Sequence, residues 1–163
     1  MALSTRSLQI PKGGKSHFWH ESFDKSLYLY GLCYARDKIL MSRKAIIVEG
    51  EFDVATLHSN DFKMTIGVCG SSFSLIQAGL LSRYCSEVFV VFDGDDSGKK
   101  SIKRVMELVK KNRLESNLDE CGMNYVPVYL PDGVDPDSYV LRKGSKGFRE
   151  LLVNSRNKKV VIN

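Results

Sequence analysis

The sequence predicts an α/β protein built on a mainly parallel sheet, and three observations predict it. Two apolar runs, Lys44-Ala45-Ile46-Ile47-Val48 and Val88-Phe89-Val90-Val91-Phe92, are short, rich in β-branched and aromatic residues, and continuous rather than alternating. Strands covered on both faces read this way. Segments of helical period separate these runs from other short apolar stretches, and strand–helix alternation implies a doubly wound sheet. Each run also ends in an acidic loop, Glu49-Gly50 after the first and Asp93-Gly94-Asp95 after the second. The carboxyl ends of the strands form the ligand crevice of an open parallel sheet, so these acids converge although far apart in sequence. Converging carboxylates repel unless a cation lies between them, which points to a magnesium site.

Met1 to Ser16 is polar, with Pro11 and Gly13-Gly14, and reads as a flexible lead-in. Asp24 to Ser42 sets Leu27, Tyr30, Tyr34, Ile39 and Leu40 in a helical pattern. Then follow strand Lys44 to Val48, helix Phe52 to Ser59, strand Met64 to Val68, helix Ser74 to Tyr84, strand Glu87 to Phe92, helix Gly98 to Lys111 and strand Tyr125 to Leu130. The small-residue turn Gly70-Ser71-Ser72 reads equally as a backbone nest for phosphate or as a tight turn with Ser72 or Ser74 capping the next helix. Pro131 to Asp137 is a third acidic loop, and Pro136 is placed to open a short helix through about Arg142. A last helix is expected over Gly147 to Val153, with a basic tail at Arg156, Lys158 and Lys159.

Composition narrows the function classes. A chain of 163 residues fits one domain with a real core, and 43% hydrophobic with 26% charged residues excludes a disordered polypeptide. No apolar stretch approaches the roughly 20 residues of a transmembrane helix, and Met1 to Ser16 lacks the apolar centre of a signal peptide. An intracellular protein without a membrane partner is expected. Cys33, Cys69, Cys85 and Cys121 are dispersed, and His17, His20 and His58 do not complete a ligand set with them, so no zinc is expected. The net charge of +5 permits a polyanionic partner without requiring one.

Three motifs in register carry a family resemblance: Val48-Glu49-Gly50-Glu51-Phe52-Asp53, Phe92-Asp93-Gly94-Asp95-Asp96-Ser97-Gly98, and Leu130-Pro131-Asp132-Gly133-Val134-Asp135-Pro136-Asp137. With Leu29-Tyr30-Gly31-Leu32 and Ala35-Arg36 upstream, the segment from about Tyr28 to Leu152 resembles the catalytic core of bacterial-type (DnaG-like) DNA primases, a Toprim domain. The Asp-Pro-Asp ending favours primases over topoisomerases, whose Toprim domains share the other two motifs. The resemblance implies a Rossmann-like Toprim fold with a central, mainly parallel sheet of about four strands flanked by helices. Residues 1–42 are then an amino-terminal extension with a helix, a remnant of the upstream primase segment. Residues 43–131 are the Toprim core, and 132–163 are the acidic loop, short helices and basic tail. Without room for a zinc-binding domain or a helicase-binding domain, the chain is expected to supply Toprim chemistry rather than to be a complete primase.

The resemblance also implies roles. Glu49 corresponds to the glutamate assigned to acid/base chemistry or metal positioning, and Asp93 and Asp95 to the metal-binding pair; these three are the expected catalytic residues. Asp53, one helical turn beyond Glu49, and the outer acids Asp135 and Asp137 complete the expected metal set for Mg2+ or Mn2+. Lys99, Lys100 and Arg104 after the second loop, and Arg36 and Lys25 upstream, are expected nucleotide or nucleic-acid contacts. The implied activity is metal-dependent synthesis of RNA primers on single-stranded DNA from ribonucleoside triphosphates, in the cytoplasm at the replication fork, with a replicative helicase or other primase domains as partners. A Toprim nuclease and a non-catalytic metal- and nucleic-acid-binding module are the alternatives. For Asp93 and Asp95 the competing structural role is capping of the helix near Gly98, and for Lys103 and Arg104 it is a solvated helix face. Phe18, Trp19, Tyr28, Tyr30 and Tyr34 are expected in the core rather than stacking bases. Asp93, Asp95, Ser97 and Gly98 imitate the opening of an EF-hand loop, but its twelfth position is Arg104, which excludes calcium ligation of that type. An apolar strand followed by Asp-x-Asp also occurs in haloacid-dehalogenase phosphatases, where it lies near the start of the fold.

Overall fold

The continuous apolar runs become the inner strands of a four-stranded, all-parallel sheet. The computed structural model describes residues 4–6, 18–20, 24–70, 72–116 and 122–160. In chain order these form β1 (Ser4–Arg6) and β2 (Phe18–His20), an antiparallel pair of their own, then a single 3-10 turn at Lys25–Leu27, α1 (Leu32–Ser42), β3 (Lys44–Val48), α2 (Glu51–Ser59) and β4 (Thr65–Gly67). There follow α3 (Leu75–Ser82), β5 (Glu87–Val91), α4 (Asp96–Ser116), β6 (Asn124–Val128) and α5 (Pro136–Val160). The sheet runs β4-β3-β5-β6. Most of the expected lead-in, the Phe18 and Trp19 side chains, Ser71 and the Lys159 side chain lie outside the described residues.

The topology follows from handedness. The chain steps from β3 outward to β4, then back past β3 to β5 and on to β6, so right-handed crossovers place α2 on one face and α3 and α4 on the other. Side chains alternate accordingly. Ala45, Ile47, Val88 and Val90 pack with Ile39, Leu81, Ile102 and Val105 beneath α1, α3 and α4. Ile46, Val48, Phe89 and Val91 pack with Val54, Leu57, Phe148 and Leu152 beneath α2 and α5. With both faces covered, no strand position in β3 or β5 is free to be polar except their first residues, Lys44 and Glu87, which are adjacent in register at the amino-terminal end. There the buried Glu87 carboxylate accepts from Arg156 Nε at 2.9 Å, tying the end of α5 to the sheet.

Three features differ from expectation. The helix expected over Asp24 to Ser42 begins only at Leu32, because Gly31 turns the chain at φ 76° and Tyr30 pairs in antiparallel fashion with Gly67. The extended segment covers the exposed edge of β4, a place where an unpaired strand invites association. Tyr28, Tyr30 and Tyr34 are not core: they are 60%, 48% and 82% exposed, the first two on the extended segment and Tyr34 on the solvent side of α1. Finally, the two short helices expected after Pro136 abut in one run, broken by a kink at Gly144 (φ 70°, ψ 171°).

Phe148 explains why the chain continues as helix through its glycines. It is fully buried, edge-to-face with Phe62 at 4.7 Å and against Tyr139 at 6.1 Å, while Arg149 lies 5.5 Å above the Phe62 ring from the solvent side. Phe148→Ala leaves a cavity where α5 meets α2 and is expected to cost about 3–5 kcal/mol, read as a fall in the urea midpoint. A loss below about 1 kcal/mol would mean that α5 is not anchored through this ring.

Candidate active site

The direction of strand addition reverses at β3, so a crevice opens at the carboxyl ends of β3 and β5, where loops diverge to opposite faces. Ile47 pairs with Val90, and the two strands therefore deliver Glu49 and Asp93 side by side at this point. The loop after Leu130 closes the third side. Gly94 N–H donates to the Val134 carbonyl at 2.9 Å, and a Cβ on Gly94 would overlap the Pro131 carbonyl oxygen. A Cβ on Gly98 would likewise overlap the carbonyl of Asp93. Both glycines are thus required by close backbone approach: Gly94 lets the Asp-Gly-Asp and Asp-Pro-Asp loops meet, and Gly98 lets the Asp-Gly-Asp loop fold back on its own first residue.

All six predicted metal-site acids interact in this one place, and charge crowding is the measure of it. Burial first, then the charges of Asp93, Asp95 and Asp53, push the Glu49 carboxyl up to about 7, with the Asp93 backbone amide opposing in part. Burial and then Asp93 push Asp53 up to about 6, with Asp137 adding a smaller contribution. Asp93 is raised by burial and by Asp135, Asp95 and Asp137. Asp135 and Asp137 share a hydrogen bond that lowers the first and raises the second.

Three of the acids also serve as helix caps. Asp95 Oδ1 accepts from Gly98 N–H at 2.7 Å at the start of α4, and Asp135 Oδ1 accepts from Ser138 N–H at 2.8 Å at the start of α5. Asp53 Oδ2 reaches back to Gly50 N–H at 3.2 Å at the start of α2. The capping role weighed for the Asp93 loop is therefore present at Asp95, and helix N-termini supply partial positive charge that favours carboxylates there.

A hard divalent cation fits this donor set, which is all carboxylate oxygen. Glu49 Oε1 is buried without a hydrogen-bond partner, which costs free energy unless something else takes that oxygen. Among the described residues, however, no three acidic, histidine or cysteine side chains already stand at ligating positions. The crevice gathers the ligands without closing them.

The predicted basic residues fall in different places. Lys99 lies across the mouth of the crevice and forms an ion pair with Asp132, a partner the sequence did not suggest. Lys100 and Arg104 are exposed on α4, and Arg104 borders a cavity of about 180 Å³ beside Glu49, with Ser72 and Ser101 as further polar lining over a floor of Phe73 and Phe92. Lys25 lies against Gly70 and faces Cys69 on the rim beyond β4. Its segment is held by the buried Gln77, whose Nε2 donates to the carbonyls of Lys25 at 3.1 Å and Tyr28 at 2.6 Å. Arg36 is exposed on α1 and pairs with the adjacent Asp37 at 3.3 Å. Ser74 caps α3, accepting from Gln77 N–H at 3.0 Å, so of the two capping serines considered it is Ser74 that serves. Gln77 and Ser101 were not singled out in the sequence, and no motif marks them.

Two measurements test the crevice. Gly94→Ala and Gly98→Ala each force backbone apart and are expected to lower Tm by about 10 °C or more; unchanged melting of Gly94→Ala would mean the two acidic loops are not locked together, and of Gly98→Ala that the Asp93 loop is not closed on itself. In chelator, the folded pKa values of Glu49 and Asp53 lie above their ordinary values of 4.5 and 3.8, so their contribution to stability is complete below about pH 4 and falls as pH rises toward 7. Glu49→Gln lacks this loss and should gain about 1–2 kcal/mol over wild type between pH 4 and 8, allowing for partial solvent screening. A wild type that gains relative to the variant over that range contradicts the crowding.

Residues 43–117 match the Toprim domain family. The DNA primase of Aquifex aeolicus is 35% identical over 133 residues, a match that takes in 82% of this chain and 25% of that protein. The chain therefore spans about a quarter of the length of this curated relative. The crystal structure of the zinc-binding and RNA polymerase domains of the Aquifex aeolicus primase superposes with a TM-score of 0.78 at 31% identity, over 94% of this chain and 36% of that one. A DnaG primase catalytic domain bound to single-stranded DNA superposes with a TM-score of 0.72 at 26% identity, over 84% of this chain and 43% of that one. The lock between the Asp-Gly-Asp and Asp-Pro-Asp loops thus belongs to a Toprim domain of the kind found in the catalytic cores of DnaG-type DNA primases.

Proposed function

We propose that this chain is the catalytic core of a DNA primase, joining ribonucleotides on a single-stranded DNA template by metal-dependent nucleotidyl transfer. The observation that carries the reading is the convergence of Glu49, Asp53, Asp93, Asp95, Asp135 and Asp137 at the reversal point of a Toprim sheet. The division into an upstream remnant (1–42), a Toprim core (43–131) and an acidic-loop segment (132–163) is part of the same reading. So are a cytoplasmic location and a replicative helicase or other primase domains as partners. No described helix is long and apolar enough to cross a membrane.

In the reaction the primer 3′ oxygen bonds to the α-phosphorus of a ribonucleoside triphosphate, its proton leaves to a base, and the bond to the β-phosphate oxygen breaks to release pyrophosphate. Mg2+ or Mn2+, held by Asp93 and Asp95 with the other acids in support, would neutralise charge on the reacting phosphates. Glu49 is the base. With no cation bound, burial and the neighbouring acids make its carboxyl take up a proton more readily than an ordinary glutamate. Asp95 and Asp135 use helix N-termini to hold their carboxylates in place before substrate arrives. Lys99, Lys100 and Arg104 on α4, and Lys25 beside Gly70, are the proposed contacts to triphosphate or template backbone. Arg36 is proposed as an outer contact of the strand. A nuclease would use the same acids with water attacking a phosphodiester, so the two readings separate on whether nucleoside triphosphates are consumed.

Titration of Mg2+ and Mn2+ by calorimetry, followed by primer synthesis on single-stranded DNA with the same samples, tests the reading. Asp93→Asn and Asp95→Asn are expected to lower metal affinity and reduce product at least 100-fold, about 3 kcal/mol of transition-state stabilisation, with folding retained because asparagine keeps a capping oxygen at position 95. Metal-dependent cleavage of DNA without triphosphates would replace primase by nuclease. Equal metal binding in wild type and variants would remove the site.

A further inference from the structure

We propose that Asp132 is a positioning residue: it holds the Lys99 amine at the mouth of the crevice and so keeps that amine off the carboxylates proposed to bind the metal. This role rests on the primase reading in taking those carboxylates as the metal site.

Local spacing offers Lys99 other partners. Asp95 and Asp96 precede it by four and three residues, and Lys99 N–H donates to the Asp95 carbonyl at 3.0 Å, so the three residues share the opening turn of α4. An acid four residues before a lysine is the favourable order for pairing along a helix. Asp95 is also one of the two acids proposed to grip the metal. The amine instead pairs with Asp132, 33 residues away in sequence on the loop across the crevice. The hydrogen bond to Asp132 is the largest cause of the raised Lys99 pKa, and the charges of Asp96 and Asp95 add less, so both acids are within electrostatic reach of the amine.

Folding does not call for an acid at position 132. Asp132 stands at the corner of a turn that Val134 N–H closes on the Pro131 carbonyl at 3.1 Å, with Gly133 beside it at φ 69°. Such a corner is set by backbone angles and asks for no carboxylate. The Asp132 side chain is 90% exposed and has no partner but Lys99 among the described residues. An ion pair this exposed contributes little to stability. Its consequence is positional. Gly94 N–H fixes the same loop through the Val134 carbonyl at 2.9 Å, so the Asp132 carboxylate has a set place at the mouth. Without that carboxylate the amine turns to the crowded acids, where its positive charge competes with a cation for the same oxygens.

A double-mutant cycle tests this role, read by calorimetric titration of Mg2+ into the full chain at about 0.15 M KCl, where exposed charges more than about 8 Å apart are largely screened. Asp132→Asn is expected to weaken Mg2+ binding about fivefold, and Asp132→Glu to bind like wild type. In a Lys99→Gln background the same Asp132→Asn change should alter the affinity less than about 1.5-fold, because the amine it would release is gone. An equal loss with and without Lys99 means that Asp132 acts by its own charge, which overturns the positioning role and leaves the metal site standing. Unchanged affinity in Asp132→Asn does the same. Wild type that binds no Mg2+ removes the site and the positioning role together.

Discussion

Six carboxylates held at one end of a sheet repel one another, and the rest of the molecule is arranged to withstand that repulsion. Of the described residues, no lysine or arginine stands among them; Lys99 is at the mouth and is engaged by Asp132. What keeps the acids together is backbone. β3 and β5 are buried along both faces and cannot slip, because a shift of one residue would exchange their two apolar faces between the two cores. Gly94 and Gly98 then allow the loops beyond the strands to approach more closely than any side chain would permit. The price in the absence of a cation is visible in Glu49, whose carboxyl binds a proton far more readily than an ordinary glutamate.

Capping and metal binding are usually set against each other as explanations of an Asp-x-Asp loop, and here the side chains that cap are among those proposed to hold the metal. Asp95, Asp135 and Asp53 each give one carboxylate oxygen to a backbone amide at the first turn of a helix. Asp135 shares a further hydrogen bond with Asp137, and Asp53 takes a second one from the Asp137 backbone, so the caps also tie the acidic loops to one another. A cap fixes the side-chain rotamer and brings the helix dipole to bear, so three of the acids are oriented before any cation arrives. Burial and Asp93 still outweigh the cap at Asp53, which remains raised. Glu49 and Asp93 extend directly from strand ends without a helix to steady them. They carry the charge crowding most directly, in keeping with roles that demand a cation or a proton.

The strands and the three acidic loops were legible in the sequence because continuous β-branched runs have few other uses in a chain of this composition. The helix starts were less so. Period alone cannot show that Gly31 adopts a positive φ, nor that the edge of β4 would draw Tyr30 into pairing with Gly67. That one tertiary demand turned Tyr28 and Tyr30 from expected core to surface, while Tyr34 lies on the exposed side of α1. In α5 the error ran the other way: Gly144 and Gly147 look like breaks, yet the burial of Phe148 against Phe62 holds the chain helical on both sides of the kink. Gln77 shows the remaining gap. A buried amide that ties Lys25 and Tyr28 to α3 leaves no periodic trace, because its partners are main-chain carbonyls about fifty residues upstream.

The modest net charge conceals two opposed fields. A phosphate-bearing ligand of the kind proposed above would meet a concentrated negative potential at the crevice, and a cation is one of two available remedies. The other is to present positive charge beside the acids but out of contact with them, so that neither neutralises the other. A rigid helix leaving the acidic loop does this, since its first turn is bound to the acids through Asp95 while its later turns project cations several ångströms away. Mixing lysines among the acids would have satisfied electrostatics more cheaply but would have filled the ligand positions. With the cations of α4 set apart from the acids, the positions proposed for the metal are not filled by lysine.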